Sequence, residues 1–522
     1  MNSEINKFKD ILTRNRGNVF VVDPHTGEEF TYGDIERFSL QLAGMLSRSG
    51  IKKSYKVAIF LPNCVEFIII YFACMHLGAI AVPVNHKLHP KEAEYMLSNT
   101  GAEFLFTSSS LAEAMNGAGI SVKHMFSFTP CNEKGGKSRE DTDGFFSWIR
   151  QQEAYVNGVF SGIEDTDTFV IVHTSGTTRR PKGVMISYGN IIRHSFTFSK
   201  TLAFRRGSRF YTILDLAYLG GFHNLMFIPF ACQGSIVLDK TFSPRMAVVF
   251  WPNVAKYKID TLWLVPSFLS LLLSLDRSDM KVKHSVEKAL VGTAPLALSL
   301  KERFEKKYSV TLYENYGLSE TFFLSTNAPA FPFNKGVGKP IEGCSVAIVN
   351  EEGRMCGAGE RGEIAVKTDY IMKGYYEDPE ETKMRFKDGM FYTGDIGHLD
   401  EEGHLFVSDR KKDMIIKGGI NISPKEVEEA VMMHPEVSEA VVVGFPNEYS
   451  GEEIVAVVNV NRGSSLKEND IKLHLRGHLA SFKIPERIYL NMEVPRSVTG
   501  KVQKNKLKDI LNRESKGHKG QV

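Results

Sequence analysis

Short apolar runs alternate with amphipathic stretches through the first 110 residues of the chain. Residues 56–61, 79–84 and 103–107 are apolar runs of strand length, whereas residues 65–77 and 90–100 have the length and spacing of helices. Strand–helix–strand alternation with short apolar strands is typical of a parallel sheet covered by helices. The pattern therefore predicts an α/β fold for this part of the chain.

The same alternation resumes further along and then changes its character. It resumes in four apolar runs of strand length at 168–173, 209–214, 234–238 and 261–265. From about Val346 the apolar runs are punctuated by glycine, at 345–350, 362–367 and 404–408. The change predicts a smaller β subdomain that follows the parallel sheets.

Five consecutive charged residues, Asp409 to Asp413, separate two apolar runs. After them the pattern predicts a strand, a helix that begins at Pro424, strands at 440–445 and 453–460, and a helix at 468–479. Together they make an α+β unit of about 110 residues. We therefore predict a large N-terminal domain at residues 1–409 and a small C-terminal domain at residues 410–522.

Charge and composition narrow the classes of function. The 522 residues include 64 Lys and Arg against 61 Asp and Glu, and this net charge of +3 is not that of a protein that coats nucleic acid. From Arg496 to the end there are eight basic and two acidic residues, so the whole positive balance lies in this last stretch. A solvated basic tail is the ordinary interpretation of such a run.

The six cysteines are scattered and form no Cys-x-x-Cys pair, which favours a reducing compartment without a cysteine metal site. The first twelve residues mix charged and apolar side chains, unlike a signal peptide. The longest apolar runs, 67–75 and 261–275, are shorter than the ~20 residues that span a bilayer. We expect a cytoplasmic protein with no membrane span and no nucleic-acid partner.

The segment from Val172 to Val184 joins an apolar strand to a loop of hydroxyl side chains and glycine, with a lysine after it. Backbone N–H groups, several hydroxyl donors and one cation at close range suit a polyphosphate. The lysine precedes a glycine and no helix follows directly, so this is not the G-x-x-x-x-G-K-[ST] loop. On composition alone an exposed polar loop is an equal alternative. The candidate phosphate-binding residues are Thr174, Ser175, Gly176, Thr177, Thr178 and Lys182.

Four further segments follow in a fixed order, so that five motifs extend over about 330 residues. They are Tyr316-Gly317-Leu318-Ser319-Glu320, Tyr392-Thr393-Gly394-Asp395, Asp409-Arg410 with Lys417-Gly418-Gly419, and Pro495-Arg496 with Gly500-Lys501. Together they resemble the adenylate-forming enzymes, which include acyl-CoA synthetases, peptide-synthetase adenylation domains and firefly luciferase. The pattern is closest to the fatty-acid or aryl-acid CoA ligases. Two features depart from it, because Ser319 replaces the usual threonine and Arg179-Arg180 stands where the family more often has small or uncharged residues.

The resemblance implies an AMP-forming ligase that uses ATP, Mg²⁺ and CoA. In such enzymes the match to Lys501 bridges the acyl carboxylate and the α-phosphate, and the match to Glu320 binds the metal. With Lys182 these form the predicted catalytic set. Joining a carboxylate to ATP brings anions together, so cations at these positions have a physical reason. Without the resemblance, Lys501 would be one more solvated lysine and Glu320 an ordinary residue near a helix start.

The nucleotide site follows from the same resemblance. Asp395 is expected to accept hydrogen bonds from the ribose, with Arg410 beside it. The adenine is expected near Gly292-Thr293-Ala294-Pro295 and against Tyr316, although these residues alone would indicate a tight turn and a core aromatic. The remaining nucleotide-binding candidates are Asn315, Gly317 and Ser319.

In the family, thioester formation follows a rotation of the small C-terminal domain about a hinge, which is Lys412 here. The rotation moves Lys501 away and brings Gly418-Gly419 to the site. Glycines suit a narrow pantetheine tunnel because they carry no side chain.

The acyl pocket is placed at Tyr218, Leu219, Gly220, Gly221, Phe222 and His223. This segment looks apolar, and Asp215 lacks the Phe-Asp-x-Ser context of amino-acid-activating relatives, which favours an uncharged fatty or aryl acid. His223 is more simply a structural histidine than a substrate contact.

The acceptor thiol remains open between CoA and the phosphopantetheine of a separate acyl carrier protein, because both are acidic and suit the basic C-terminal stretch. A luciferase-like oxygenase shares every motif, and a non-catalytic nucleotide-binding protein is disfavoured by the complete set of charged residues. A monomer or a homodimer is expected.

Overall fold

The computed structural model describes residues 3–137, 141, 144–156, 158–174, 181–275, 283–294, 296–330, 336–418, 420–447, 450–497 and 501–518, the last four of these without their side chains. Within these ranges no helix is both long and apolar enough to cross a bilayer. The predicted phosphate-loop residues Ser175, Gly176, Thr177, Thr178 and Arg179-Arg180 lie outside the described residues, as do Pro295 and Gly419.

A seven-stranded sheet occupies part of the N-terminal half and reaches the phosphate-loop segment. Its strands, in spatial order, are Gly374–Tyr375, Lys182–Ser187, Thr168–Thr174, Ile80–Asn85, Lys56–Leu61, Phe104–Ser108 and His124–Phe128. The five strands from Thr168–Thr174 onward run parallel, and the first two are antiparallel additions.

The connecting helices of this sheet are Val65–Leu77, Pro90–Thr100 and Ser109–Gly117. All thirteen residues of Val65–Leu77 are buried. The helix ends at Gly78, whose φ of 73° is a left-handed conformation that glycine adopts readily.

A nine-stranded sheet carries the adenine-side motifs. Its strands, in spatial order, are Lys339–Pro340, Phe322–Thr326, Leu312–Leu318, Lys288–Val291, Thr261–Leu264, Arg209–Thr212, Ser235–Leu238, Val19–Val22 and Glu29–Thr31. The central strands are parallel and both edges are antiparallel.

The helices around this sheet are Glu4–Arg14, Tyr32–Arg48, Phe145–Arg150, Tyr188–Thr201, Leu219–Phe222, Ile228–Ala231, Pro244–Lys256, Pro266–Leu275 and Leu298–Tyr308. A π-helical turn, His223–Phe227, joins two of them.

One apolar core joins the two large sheets. Tyr71 stacks on Phe222 and contacts Phe169 of the seven-stranded sheet, while Phe72 contacts Phe20 of the nine-stranded sheet. Because the buried helix Val65–Leu77 presents aromatic rings to both sheets, the sheets are held as one body.

The glycine-punctuated segment forms a separate antiparallel sheet of five strands, Cys344–Val349, Gly362–Thr368, Met390–Leu399, Phe386–Lys387 and Leu405–Arg410. The short helix Pro379–Arg385 precedes its strand Phe386–Lys387. In this sheet Asp395 pairs directly with Arg410, which places two motif residues from different segments side by side.

The C-terminal part has its own sheet and its own core. The strands are Ile420–Ile422, Ile415–Lys417, Gly451–Val460, Val437–Asn447 and Arg487–Leu490, and the α-helices are Pro424–Met432, Glu468–Arg476 and Lys504–His518, with 3-10 turns at Lys411–Asp413 and Ser481–Lys483. Two apolar clusters cover the two faces of this sheet, and neither contains a residue before Ile415.

The predicted fold class is confirmed. Most predicted elements are present with ends shifted by one to three residues, and the helix predicted at 468–479 ends at Arg476. The antiparallel edge strands were not anticipated, because a short apolar run has the same pattern in either direction.

Candidate active site

Three motif residues meet at the boundary between the nine-stranded sheet and the β subdomain. The phenol of Tyr316 donates to Asp395 Oδ2 at 2.7 Å, and Arg410 Nε lies 3.1 Å from Asp395 Oδ1. Asp395 is buried at 4% exposure, and its backbone N–H donates to Thr393 Oγ1. Asp395 therefore presents a fixed, partly neutralised acceptor, which is the chemistry that a ribose hydroxyl needs.

The charges of Arg410 and Asp395 act on the ammonium of Lys501, which belongs to the C-terminal part. Desolvation lowers the pKa of its ammonium to about 8; Arg410 acts in the same direction and Asp395 opposes it. The residue retains an exposed surface, so a ligand can reach it.

The backbone around Lys501 is tied back on itself. The Ser497 N–H donates to the Lys501 carbonyl at 2.7 Å, and an isolated antiparallel bridge joins Arg496 to Val502. These bonds fix the backbone at Lys501 itself.

The predicted metal ligand Glu320 lies in the turn after the strand Leu312–Leu318. Its Oε1 accepts from the phenol of Tyr375 at 2.7 Å, and its backbone carbonyl accepts from the Met372 N–H at 2.7 Å. One anchored carboxylate fits Mg²⁺, which takes one or two protein carboxylates together with phosphate oxygens.

Among the described residues, one group of side chains could hold a metal ion. It consists of Asp400, Glu402 and His404. It occupies the turn of the hairpin between Met390–Leu399 and Leu405–Arg410, several residue pairs from Asp395. It takes no part in the nucleotide site.

Lys182 stands opposite Thr174 in the paired strands at the base of the phosphate loop. Its ammonium is 2.7 Å from Glu381 Oε1, and it lies over the ring of Tyr375 at 5.4 Å. Both side chains of the ion pair are largely buried, at 10% and 16% exposure. Lys182 is thus already paired, and a phosphate that it binds must compete with Glu381.

Glu381 and Arg385 contact the predicted phosphate-binding lysine, directly and through each other, and no motif indicated them. Arg385 Nε lies 3.1 Å from Glu381 Oε1, one helical turn away. Burial acts to raise the pKa of Glu381, but hydrogen bonds from Lys182 and Arg385 outweigh it and the net pKa is lowered. In sequence the pair looks like any i,i+4 ion pair on a helix, so no pattern distinguished it.

Arg385 also reaches towards the ribose side of the site. A Cβ at Gly394 would lie 3.2 Å from its Nη1, and Gly394 has a φ of 78°. The Lys182–Glu381–Arg385 chain therefore connects the phosphate-loop strand with the strand that carries Asp395.

The predicted adenine segment is closely packed. A Cβ at Gly292 would lie 2.3 Å from Asn315 Oδ1, and a Cβ at Gly317 would lie 2.0 Å from the Phe322 carbonyl oxygen. Asn315 is 5% exposed, and its Oδ1 has no hydrogen-bond partner within the described part of the chain. Both glycines are therefore required by the close approach of backbone and amide.

The other members of the segment border the same region. Thr293 has a φ of 71°, an uncommon conformation for a residue with a side chain. Ala294 follows it, and Ser319 is half-buried in the turn before Glu320.

The predicted acyl segment is not uniformly open. Tyr218, Leu219 and Gly220 are partly exposed, whereas Gly221, Phe222 and His223 are buried. Phe222 stacks on Tyr71 in the apolar core, so its ring is part of that core and does not line an exposed surface. Burial and the neighbouring His194 lower the pKa of His223 well below its usual value, so this imidazole is neutral.

The hinge and tunnel candidates lie on the C-terminal side. Lys412 is in the 3-10 turn Lys411–Asp413, and burial, with the nearby Arg410, lowers its pKa. The Gly418 N–H donates to the Ser450 carbonyl at 2.7 Å, and a Cβ at Gly418 would meet no atom within 4 Å. The hinge role of Lys412 and the tunnel role of Gly418 stay predictions.

The chain matches the AMP-binding enzyme family over residues 8–376 and the AMP-binding enzyme C-terminal domain over residues 426–501. It belongs to the AMP-binding enzyme family. This confirms the resemblance drawn from the five motifs.

Curated relatives of this AMP-binding enzyme are CoA ligases. The long-chain-fatty-acid–CoA ligase of Bacillus subtilis is 31% identical, with 94% of this chain and 91% of the relative covered. The oxalate–CoA ligase of Arabidopsis thaliana is 30% identical, with 90% of each covered. The reaction class is thus acid–thiol ligation. The acids named for these relatives differ widely, from a long-chain fatty acid to oxalate.

Solved structures share the fold across the whole chain. The ATP-bound MatB from Rhodopseudomonas palustris gives a TM-score of 0.86 at 25% identity, with 97% of this chain and 98% of that chain covered. The apo form of MatB gives 0.77 at the same identity and coverage. The AMP-binding enzyme described here is therefore more similar to the ATP-bound form, in agreement with the position of Lys501.

Proposed function

We propose that this enzyme activates an uncharged fatty or aryl acid with ATP and then transfers the acyl group to the thiol of CoA. One observation carries the proposal: Arg410 and Asp395 both act electrostatically on the Lys501 ammonium, so the lysine is within range of the pair that we expect to hold the ribose. This supports a C-terminal part arranged for the first half-reaction.

In that half-reaction a carboxylate oxygen of the acid attacks the α-phosphorus, and the bond to pyrophosphate breaks. Negative charge accumulates around phosphorus, so cations that face it stabilise the transition state. Lys501 supplies one cation at the carboxylate side, and Lys182 supplies a second at the phosphate side, released from Glu381 when phosphate binds.

We place Mg²⁺ at Glu320, whose carboxylate is oriented by Tyr375. The ion would supply charge neutralisation between phosphate oxygens. Asp395 and Arg410 would hold the ribose, and Gly292 with Tyr316 and Asn315 would enclose the adenine.

In the second half-reaction the CoA thiolate attacks the acyl carbonyl and AMP leaves with both electrons of the broken bond. We propose that the unit after residue 409 rotates about Lys412, withdraws Lys501 and brings Gly418-Gly419 to the site. The separate apolar core of that unit supports such a rigid-body movement.

The preference for an uncharged acid is supported by the state of Asp215. Its Oδ2 accepts from Asn85 Nδ2 at 2.7 Å and lies 3.3 Å from His86, and its Oδ1 accepts from the Ala217 N–H at 2.9 Å. A carboxylate occupied in this way is not offered to a substrate ammonium group.

The test is an ATP–pyrophosphate exchange screen over fatty, aryl and amino acids, followed by thioester assays with and without CoA. Exchange driven by fatty or aryl acids, with thioester formed only when CoA is present, supports the proposal. Exchange driven only by amino acids overturns the acid class. Thioester on an added carrier protein but not on CoA overturns the acceptor, and oxygen uptake or light identifies an oxygenase.

A variant pair identifies the lysine. Lys501→Ala should abolish exchange, whereas Lys506→Ala, an exposed lysine on the following helix, should leave it unchanged.

We place the enzyme in the cytoplasm, and six free cysteines support this reducing compartment. We expect a monomer or a homodimer.

A further inference from the structure

A buried chain of polar side chains ends in the acyl region. His194 Nε2 lies 3.0 Å from the Phe323 carbonyl oxygen, and His194 Nδ1 lies 3.1 Å from His223 Nε2. His223 Nδ1 in turn lies 3.0 Å from the side-chain amide of Asn224. All three side chains are at most 1% exposed.

The direction of this chain is set by its first member. A carbonyl oxygen only accepts, so His194 Nε2 carries the hydrogen. Burial lowers the pKa of His194 to about 3, so the ring is neutral and its Nδ1 must accept. His223 Nε2 therefore donates to His194, and the neutral His223 ring is left with an accepting Nδ1.

That acceptor fixes the orientation of the Asn224 amide. With Oδ1 facing His223 Nδ1, two acceptors would oppose each other. Oxygen and nitrogen of an amide are nearly identical in size and are assigned from the hydrogen-bond network. Turning the amide by 180° lets its nitrogen donate to His223 and directs Oδ1 to the opposite side. The amide atom on that side has no hydrogen-bond partner among the residues that the structure describes.

The amide atom without a partner lies near Gly220. A Cβ at Gly220 would lie 3.8 Å from this amide atom and 3.8 Å from Thr293 Cγ2, with nothing nearer. Gly220 is partly exposed, and Thr293 belongs to the predicted adenine segment. The Asn224 amide therefore lies near Gly220, a predicted acyl residue that in turn borders the predicted adenine segment.

The local backbone is unusual at the same position. Asn224 lies in the π-helical turn His223–Phe227, between two four-residue helical turns. Single π turns are frequent at functional sites, because the extra residue per turn redirects a side chain. An unsatisfied buried amide is costly unless something pairs with it.

We propose that the acid substrate carries its own hydrogen-bond donor, a hydroxyl group, which pairs with Asn224 Oδ1 beside Gly220. This inference rests on the proposed ligase function and specifies its acid as hydroxylated. His194 and His223 are positioning residues that hold the amide in its orientation.

The first test uses the unaltered enzyme and matched acids in the pyrophosphate-exchange assay. Each set contains a hydroxylated acid, its methoxy counterpart and the unsubstituted acid, for benzoates substituted at each ring position and for fatty acids with and without a hydroxyl. At least one hydroxylated acid should exceed both counterparts by about tenfold or more in kcat/KM. Equal rates within every set, or a preference for methoxy acids, would overturn the inference while leaving the ligase function intact. If no acid drives exchange, the ligase function fails and this inference fails with it.

The second test assigns the preference to Asn224. In Asn224→Leu the preference for the hydroxylated acid should fall to about twofold or less, while the KM for ATP stays unchanged. Asn116→Leu, an exposed position on the helix Ser109–Gly117, is the control and should retain the full preference. A preference that survives in folded Asn224→Leu would exclude this contact. Where that variant does not fold, the matched-acid comparison decides alone.

Discussion

The phenolic oxygen of Tyr316 donates to Asp395 Oδ2 at 2.7 Å across 79 positions of sequence. Tyr316 belongs to the nine-stranded sheet and Asp395 to the antiparallel β subdomain. The bond therefore joins the predicted adenine and ribose residues, and it fixes their relative position before a nucleotide binds.

Removing this bond should weaken nucleotide binding. In Tyr316→Phe the ring is retained, but a buried hydrogen bond to a charged acceptor is lost, worth roughly 1.5–3 kcal/mol. We expect the KM for ATP in pyrophosphate exchange to rise about tenfold or more. Tyr313→Phe on the same strand is the control, and an equal effect of both changes would contradict the assignment.

The pH dependence of exchange should report Lys501. Its pKa is lowered to about 8, so the ammonium is charged below that pH and neutral above it. Because adenylate formation needs the charge, kcat/KM for ATP should decline as pH rises through about 8. The activity that remains in Lys501→Arg should show no such decline, since guanidinium stays charged. A wild-type profile that is flat to pH 10 would refute this prediction.

The Lys182–Glu381 pair should show strong coupling in a double-mutant cycle. With both side chains largely buried, loss of Glu381 leaves the Lys182 ammonium uncompensated, whereas loss of Lys182 leaves Glu381 with Arg385 alone. We expect Lys182→Met and Glu381→Gln to have a coupling free energy of about 1–3 kcal/mol in urea unfolding. The surface pair Lys123–Glu103, with 64% and 52% exposure, is the control and should give less than about 1 kcal/mol. Similar coupling free energies for the two pairs would show that burial does not strengthen the Lys182–Glu381 pair.

A methyl group at Gly292 should displace Asn315. The new Cβ would lie 2.3 Å from Asn315 Oδ1, closer than non-bonded atoms approach. We expect Gly292→Ala to lower stability by about 1–3 kcal/mol and to raise the KM for ATP. Gly17→Ala, where a Cβ would meet nothing within 4 Å, should do neither. An unaltered KM in Gly292→Ala would remove this segment from the nucleotide site.

Restricting the proposed hinge should separate the two half-reactions. Proline at 412 fixes φ near −65°, which suits the present 3-10 turn but resists rotation. Lys412→Pro should retain exchange within a few-fold and slow thioester formation at least about a hundredfold, measured in single turnover. Lys411→Ala is the neighbouring control. Equal loss in both half-reactions would place the hinge elsewhere.

The sequence alone predicted those parts of the molecule whose signals are local. The helix Val65–Leu77 has the predicted ends, because it follows a short polar turn and stops at a glycine. Asp395 and Arg410 come from two separate motifs, and the fold places them side by side; their roles and that of Lys501 stay predictions.

Other site features depend on long-range contacts that have no local pattern. Glu381 and Arg385 act through Lys182, which lies about two hundred residues earlier in the chain. The polar chain that ends at Asn224 begins at His194, and a histidine in an apolar segment reveals neither its partner nor its tautomer.

Asp409 lies just before the proposed hinge and accepts from the Lys425 N–H at 3.0 Å and from the Ser423 hydroxyl, both of which lie just after it. Lys425 Nζ also donates to the Val407 carbonyl at 2.7 Å. A rotation about Lys412 would separate these partners. The three hydrogen bonds would therefore hold the first helix of the C-terminal unit against the proposed rotation. The rate at which the enzyme passes from the first half-reaction to the second would then depend partly on these three hydrogen bonds, although none of their residues is expected to contact a substrate.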